Sequence, residues 1–393
     1  MLLFYSLYIV AYGLPFLNMM RYNYRYSFSG DGELRKDGRY MKDNDMKDGA
    51  LWSPALLEWF DAHGRDLPWR RDVPRDPYKV WVSEIMLQQT KVEAVRPYYD
   101  SWMDRFPDIP TLAAASQDDV LRQWQGLGYY SRARNLHEAV REVTASYGGK
   151  VPKNKKDILA LKGIGDYTAG AILSIAYGEA EAAVDGNVLR VFARLYNIDG
   201  NILSGPVKKE ITALVQAQIP QDRAGAFNEA LMDFGAMICI PKHPRCGECP
   251  LADVCMAKRA GREQELPVRI VKKKVPTEQV TVVVVEDKGR WLIHRRPPQG
   301  LLASMWEFPN GTDGLDGVRQ LTEGVGVTID VDEEPIGTLK HVFSHKIWQM
   351  TIYEGRRIGG ELMEKEDWQW LPRRDVTSVP WAGPHGKITA MAR

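Results

Sequence analysis

The chain has 393 residues, of which 44% are hydrophobic and 26% charged, and its formal net charge is +1. This is too long for one ordinary core and has the composition of a soluble globular protein, so more than one domain is expected. Near-neutrality excludes binding of polyanions by bulk charge; any such binding needs a local patch.

In chain order, the first twenty residues, MLLFYSLYIVAYGLPFLNMM, carry no charge. No basic segment precedes the apolar run, and Gly13 and Pro15 interrupt it, against a signal peptide or membrane anchor. We read residues 1–48 as an extension from a start codon set too early, with Met41 or Met46 as the natural start. No membrane association is expected.

Residues 49–256 read as all-helical. Apolar positions recur every three or four residues in LLEWFDAHG, VWVSEIMLQQT, DDVLRQWQGLG, ARNLHEAVREV, TAGAILSIAYG, NVLRVFARLYN and FNEALMDFGAMI. Turn signals at Pro107–Pro110, Gly148-Gly149 and Gly163–Gly165 separate them. Residues 257–277 are charged and aperiodic with two prolines, and read as a linker. Residues 278–393 then change texture. TVVVVE and RWLIHR are strand runs joined at Asp287-Lys288-Gly289, HKIWQMTIYE is a further strand, and DGLDGVRQLTEGVG is a helix with a glycine stop. A smaller α/β domain therefore follows the helical one.

Four features carry chemistry. Glu84 lies in WVSEIMLQQT among Trp81, Ile85 and Leu87; a carboxyl there is costly to bury unless it faces a cavity, and burial would keep it partly protonated. In LKGIGDYTAGAI, Gly163 and Gly165 permit a tight turn that exposes backbone N–H groups at a helix start, suited to a phosphate. Asp185 sits twenty residues after Gly165 in a Val-Asp-Gly-Asn turn, where a helix cap is its ordinary role. All four cysteines, Cys239, Cys246, Cys249 and Cys255, fall in one C-x6-C-x2-C-x5-C run. Disulfides do not suit a chain without a credible secretion signal; a structural zinc and an iron–sulfur cluster both use four thiolates, and spacing leaves both open.

The cysteine run resembles that of the endonuclease III superfamily of DNA repair glycosylases, where it holds a [4Fe–4S] cluster. DILALKGIGDYTAG resembles a helix-hairpin-helix DNA-binding motif. LPWR followed by DPYKVWVSEIMLQQT closely resembles the adenine DNA glycosylases of the MutY family. The resemblance runs from about Leu51 to the C-terminus. It implies an all-α helix-hairpin-helix glycosylase domain with an iron–sulfur cluster loop, and a C-terminal α/β Nudix-like domain.

By the same resemblance Glu84 protonates adenine N7, Asp185 stabilises an oxocarbenium-like sugar and Tyr167 assists. Lyases of the superfamily carry a lysine where Tyr167 stands, so little or no strand cleavage is expected. Gln88, Gln89 and Thr90 enter the duplex, Leu127 and Tyr129 are wedge candidates, and Arg70 and Glu229 lie near the extruded base, with Trp69 as a pocket wall. In the Nudix-like domain, which PPQGLLASMWEFPN resembles, GVRQLTEGVGV has Glu323 but no acidic metal-binding cluster, so no nucleotide hydrolysis is expected. Phe343, Ser344 and His345 form the loop that recognises 8-oxoguanine. The implied partner is double-stranded DNA with A:8-oxoguanine or A:G mispairs, and the implied protein is a monomer in the bacterial cytoplasm, associated with the nucleoid. A thymine or oxidised-pyrimidine glycosylase, and a non-catalytic redox-sensing DNA-binding protein, are the alternatives.

Overall fold

A computed structural model describes residues 52–270 and 275–392. The extension at residues 1–48 lies outside the described residues. The helical part runs through α1 (Ser53–His63), α2 (Pro77–Leu87), α3 (Val92–Arg105), α4 (Ile109–Ala114), α5 (Gln117–Gln123), α6 (Ser131–Ser146), α7 (Lys155–Ala160), α8 (Asp166–Tyr177), α9 (Gly186–Leu195), α10 (Gly205–Gln218), α11 (Ala224–Met237) and α12 (Met256–Arg259). Local chemistry sets several starts. Asp76 caps α2 by accepting from the amides of Tyr78 and Lys79, with Pro77 at the first helical position. Asn154 caps α7 through the Asp157 amide. In each case a side-chain oxygen satisfies an N–H that the helix cannot.

The apolar faces close two cores. The first holds Trp81, Trp102, Trp124, Leu136, Val140 and Ile172, from α2, α3, α6 and α8 and the turn after α5. The second holds Leu56, Phe192, Val215, Phe227, Leu231 and Phe234, from α1, α9, α10 and α11. Helix α8 packs against both α2 and α11, so it spans the seam between the cores. Every catalytic candidate sits along that seam.

The first half of the segment read as a linker is built into the helical part. Ala257 and Leu266 are buried, Arg194 Nε donates to the Leu266 carbonyl at 2.8 Å, and the Ile202 amide donates to the Val268 carbonyl at 3.0 Å. Polar bonds to the backbone hold this stretch, and such bonds leave no apolar period in the sequence.

The C-terminal part contains β1 (Thr277–Asp287), β2 (Arg290–Arg295), β3 (Trp306–Glu307), β4 (Asn310–Gly311), α13 (Gly314–Glu323), β5 (Val327–Val331), β6 (Gly337–Val342), β7 (Ile347–Gly360), β8 (Trp368–Pro372) and α14 (Gly383–Ile388). One mixed sheet runs β3-β2-β1-β7-β5, with β4 on β1, β6 on β7 and β8 on β2; β1 and β7 are parallel. The valine run in β1 is buried on both faces. Val280, Val282 and Val284 enter one core, and Val283 and Val285 enter the other beneath α13. This explains an unbroken apolar run where a half-exposed strand would alternate. Lys288 and Gly289, at φ 53° and 77°, turn the β1–β2 hairpin in the left-handed region its twist demands.

Residues 49–393 form one compact unit. Met305 and Ala382 of the C-terminal part are buried in the first helical core, Arg134 Nη1 donates to the Ala303 carbonyl at 2.9 Å, and Arg295 pairs with Asp118 at 2.5 Å.

Candidate active site

Glu84 stands in the last turn of α2 and is 4% exposed. Tyr167, in the first turn of α8, donates its hydroxyl to Glu84 Oε2 at 2.5 Å. Burial is the main cause that raises the Glu84 carboxyl to about 7; the Tyr167 hydrogen bond opposes it, Glu229 and Asp185 add to it, and Arg70 opposes it. A carboxyl balanced between its two forms near neutrality can give a proton and take one back. Burial and the neighbouring carboxylates push the Tyr167 hydroxyl well above its ordinary value, so it stays a neutral donor.

Asp185 caps α9 and has a second attachment. Its Oδ1 accepts from the Val188 amide at 2.7 Å and its Oδ2 from Asn187 Nδ2 at 2.9 Å. Burial raises its carboxyl, against the Val188 and Asn187 amides, Arg190 and the Asn187 side chain. Those donors and the helix N-terminus favour the anion. The cap thus falls on the residue for which a catalytic role is expected. Asn187 Oδ1 in turn accepts from Arg190 Nη2 at 3.0 Å, and Arg190 Nε donates to the Cys239 carbonyl at 2.8 Å. A hydrogen-bonded chain therefore runs from Asp185 to the first cysteine.

Arg70 and Glu229 meet at 2.9 Å, within a larger network. Arg75 also holds Glu229 at 3.1 Å, and Asp233 accepts from Arg70 at 2.8 Å and from Arg65 at 2.6 Å. Burial works against the Asp233 anion, yet the Arg70 and Arg65 guanidiniums hold it below the usual aspartate value. Asp233, Arg65 and Arg75 were missed in the sequence. The available signal was Glu229 and Asp233 four residues apart on an otherwise apolar helix. Trp69 is buried edge-on to Tyr99 in the first core.

The hairpin lies between α7 and α8. Gly163, at φ 82°, has Asn135 Cβ 2.7 Å from where its own Cβ would stand, so both conformation and space demand glycine. Gly165 starts α8 without a side-chain cap and faces open space, leaving the first-turn amides available to an anion. Lys162, just before the hairpin glycines, is paired with Glu138 at 2.6 Å.

Gln88, Gln89 and Thr90 follow α2 directly. Gln88 Nε2 donates to Thr168 Oγ1 at 3.2 Å, and Gln89 adopts φ 56°, in the left-handed region. Tyr129, at φ 47°, is 43% exposed, whereas Leu127 is 7% exposed and packed in the first core. Of the two wedge candidates, Tyr129 presents its side chain and Leu127 lies against the core. Arg132, which the sequence reading passed over, contacts both loops.

Cys239, Cys246, Cys249 and Cys255 line one cavity with Arg194 and Phe234. Burial raises the thiols of Cys246, Cys249 and Cys255, that of Cys249 to about 12, and the other thiols add to it. Donors oppose this: the Leu251 amide serves Cys249, and the Lys258 and Ala257 amides serve Cys255. Arg194 Nη1 lies 3.3 Å from Cys239 Sγ. Four half-buried sulfurs, with N–H donors aimed at those of Cys239, Cys249 and Cys255, suit thiolates ligating a soft metal group. Among the described residues no three ligating side chains converge on a single-ion site.

Phe343, Ser344 and His345 form the turn between β6 and β7. The Phe343 amide donates to the Lys346 carbonyl at 2.8 Å, and its ring packs against His341 and Trp348, with centroids at 4.5 and 5.0 Å. Ser344 and His345 are exposed. Phe343 anchors the turn while the two polar side chains project.

Residues 82–217 match the HhH-GPD superfamily base excision DNA repair proteins, residues 239–255 the iron-sulfur binding domain of endonuclease III, and residues 280–391 the NUDIX domain. The chain is similar to the adenine DNA glycosylase of Homo sapiens, at 34% identity over 77% of this chain and 66% of that one. It is also similar to the adenine DNA glycosylase of Buchnera aphidicola subsp. Schizaphis graminum, at 34% identity over 75% of this chain and 84% of that one. Among solved structures, a thermostable thymine-DNA glycosylase superposes with a TM-score of 0.50 at 30% identity, covering 56% of this chain and all of that one.

Proposed function

The chain belongs to the adenine DNA glycosylases, DNA N-glycosylases with an iron–sulfur cluster, and on that premise we propose that it hydrolyses the N-glycosidic bond of adenine mispaired with 8-oxoguanine or guanine. The observation that carries this reading is Glu84, a buried carboxyl raised to about 7, held by Tyr167 and close enough to Asp185 to feel its charge.

In its protonated form Glu84 donates to N7 of the extruded adenine. The C1′–N9 bond breaks, its electron pair leaves with the purine, and positive charge develops on the sugar. The Asp185 carboxylate stabilises that charge. Glu84, now ionised, accepts a proton from the water that attacks C1′ and so regains its starting form. Tyr167 has no amine with which to form a Schiff base, which supports hydrolysis without strand cleavage. When bound, the cluster supplies cross-links among four loop positions; base hydrolysis transfers no electron.

Opposite-base recognition is assigned to the exposed Ser344 and His345, whose donors and acceptors can reach a base edge. Helix α13 carries only Asp316 and Glu323 as acids, and Asp316 is paired with Arg319, which supports a domain that recognises DNA without hydrolysing nucleotides. The protein acts as a monomer on double-stranded DNA.

The test is base release from duplexes pairing A with 8-oxoguanine, G, C or T, with T:G as a further arm. Release of adenine from A:8-oxoguanine and A:G, abolished by Glu84→Gln with duplex binding retained, is expected. Release of thymine alone would shift the assignment to a thymine glycosylase; release from no duplex by the wild type would leave only a binding role.

A further inference from the structure

Arg132 is 9% exposed and, among the described residues, has no carboxylate partner. Six oxygens lie within 3.2 Å of its two terminal nitrogens. Nη1 is 2.8 Å from the Ile85 and Met86 carbonyls and 2.6 Å from that of Gln88. Nη2 reaches Thr90 Oγ1 at 3.2 Å and the Leu127 and Gly128 carbonyls at 3.2 and 3.1 Å. One guanidinium thus binds the C-terminal end of α2, the 88–90 loop and the 127–129 loop together. Its charge faces the negative end of the helix dipole and carbonyls that the helix leaves unpaired. The same group lies 5.2 Å from the Trp124 ring and 5.5 Å from the ring of exposed Tyr129.

A buried cation without a counter-ion is expensive, and the cost is tolerated where a fork of donors does what nothing smaller can. Both loops it joins hold residues at positive φ, Gln89 and Tyr129, and a strained backbone persists only where its surroundings over-determine it. We infer that Arg132 is a positioning residue that locks the 88–90 and 127–129 loops into one insertion device, so that Gln89 and Tyr129 enter the duplex as a unit when the purine leaves it. The inference rests on the proposed base extrusion. Arg132 acts through the two loops and touches no reacting atom. A lysine, with one point charge, cannot reach both loops.

The experiment replaces the target adenine by fluorescent 2-aminopurine opposite 8-oxoguanine and follows its unstacking by stopped flow. The readouts beside it are single-turnover adenine release as a function of pH, thermal melting and visible absorbance. Arg132→Lys is expected to slow unstacking by about tenfold or more while the midpoint of the pH–rate curve stays at the wild-type value. Unstacking at the wild-type rate, or a displaced midpoint, overturns the inference, the latter by placing the effect on Glu84. Should Arg132→Lys not fold, a double-mutant cycle decides. Thr90→Val removes one acceptor of Arg132 and Tyr129→Ala removes the ring beside it; their effects on unstacking should be non-additive, and additivity overturns the inference. A wild type that unstacks the probe yet releases no adenine would refute the proposed function and leave the coupling of the loops standing.

Discussion

Glu84, the proposed acid, shows how a residue suited to chemistry can oppose stability. Its carboxyl is raised from 4.5 to about 7 in the folded chain. Below pH 4.5 both folded and unfolded forms are protonated and the shift costs nothing. As pH rises toward 7 the unfolded chain releases the proton that the folded chain keeps, and stability falls. Above 7 the loss is complete, on the order of 3 kcal/mol. Glu84→Gln removes the titration, so its melting advantage over the wild type should grow between pH 5 and pH 8; a constant difference across that range would refute the raised carboxyl. Excision has the same sign, because the proton must be present for the base to leave: single-turnover release by the wild type should fall as pH rises through about 7. Glu84 was readable from sequence because a charged residue in an apolar helix is conspicuous. Arg132 was not, since its partners are five backbone carbonyls and one hydroxyl, and carbonyls carry no sequence signature.

At the scale of elements, α9 begins at a residue with two roles that can be separated. Asparagine caps a helix about as well as aspartate but carries no charge. Asp185→Asn should therefore melt within about 0.5 kcal/mol of the wild type while losing about a hundredfold or more in adenine release. Asp185→Ala should lose the same activity and about 1 kcal/mol of stability besides. Equal stability of the two variants would show that the bond from the Val188 amide contributes nothing, and retained activity in Asp185→Asn would remove the anion from the mechanism. The hairpin before α8 follows the same logic of local geometry: Gly163 was legible because a positive φ and a close neighbour both require glycine. The segment 257–268 was not legible, because its anchors, Arg194 and the Ile202 amide, lie more than sixty residues away in the chain.

At the scale of the molecule, the C-terminal part reaches into the helical core. Met305 is fully buried there. Met305→Asp places an unpaired charge in that core and should cost about 3 kcal/mol or more. Calorimetry should show both parts destabilised together; a variant in which only the C-terminal part melts earlier would mean that the two are independent. The four cysteines belong to this scale too, since the chain from Asp185 through Asn187 and Arg190 ends on Cys239 and ties the cysteine loop to the catalytic seam.

The sequence by itself determined the elements, because periodicity, capping residues and turn glycines act between neighbours along the chain. It also marked Glu84 and the cysteine run, since each breaks a local pattern, whereas Asp185 and Tyr167 stood out only through the family resemblance. Tertiary structure alone decided that Leu127 is core and Tyr129 exposed, that Arg65, Arg75 and Asp233 close around Arg70 and Glu229, and that one guanidinium joins two loops. Those outcomes depend on which distant backbones share a buried space, and the free energy of such contacts is set by burial and geometry that no short stretch of residues encodes.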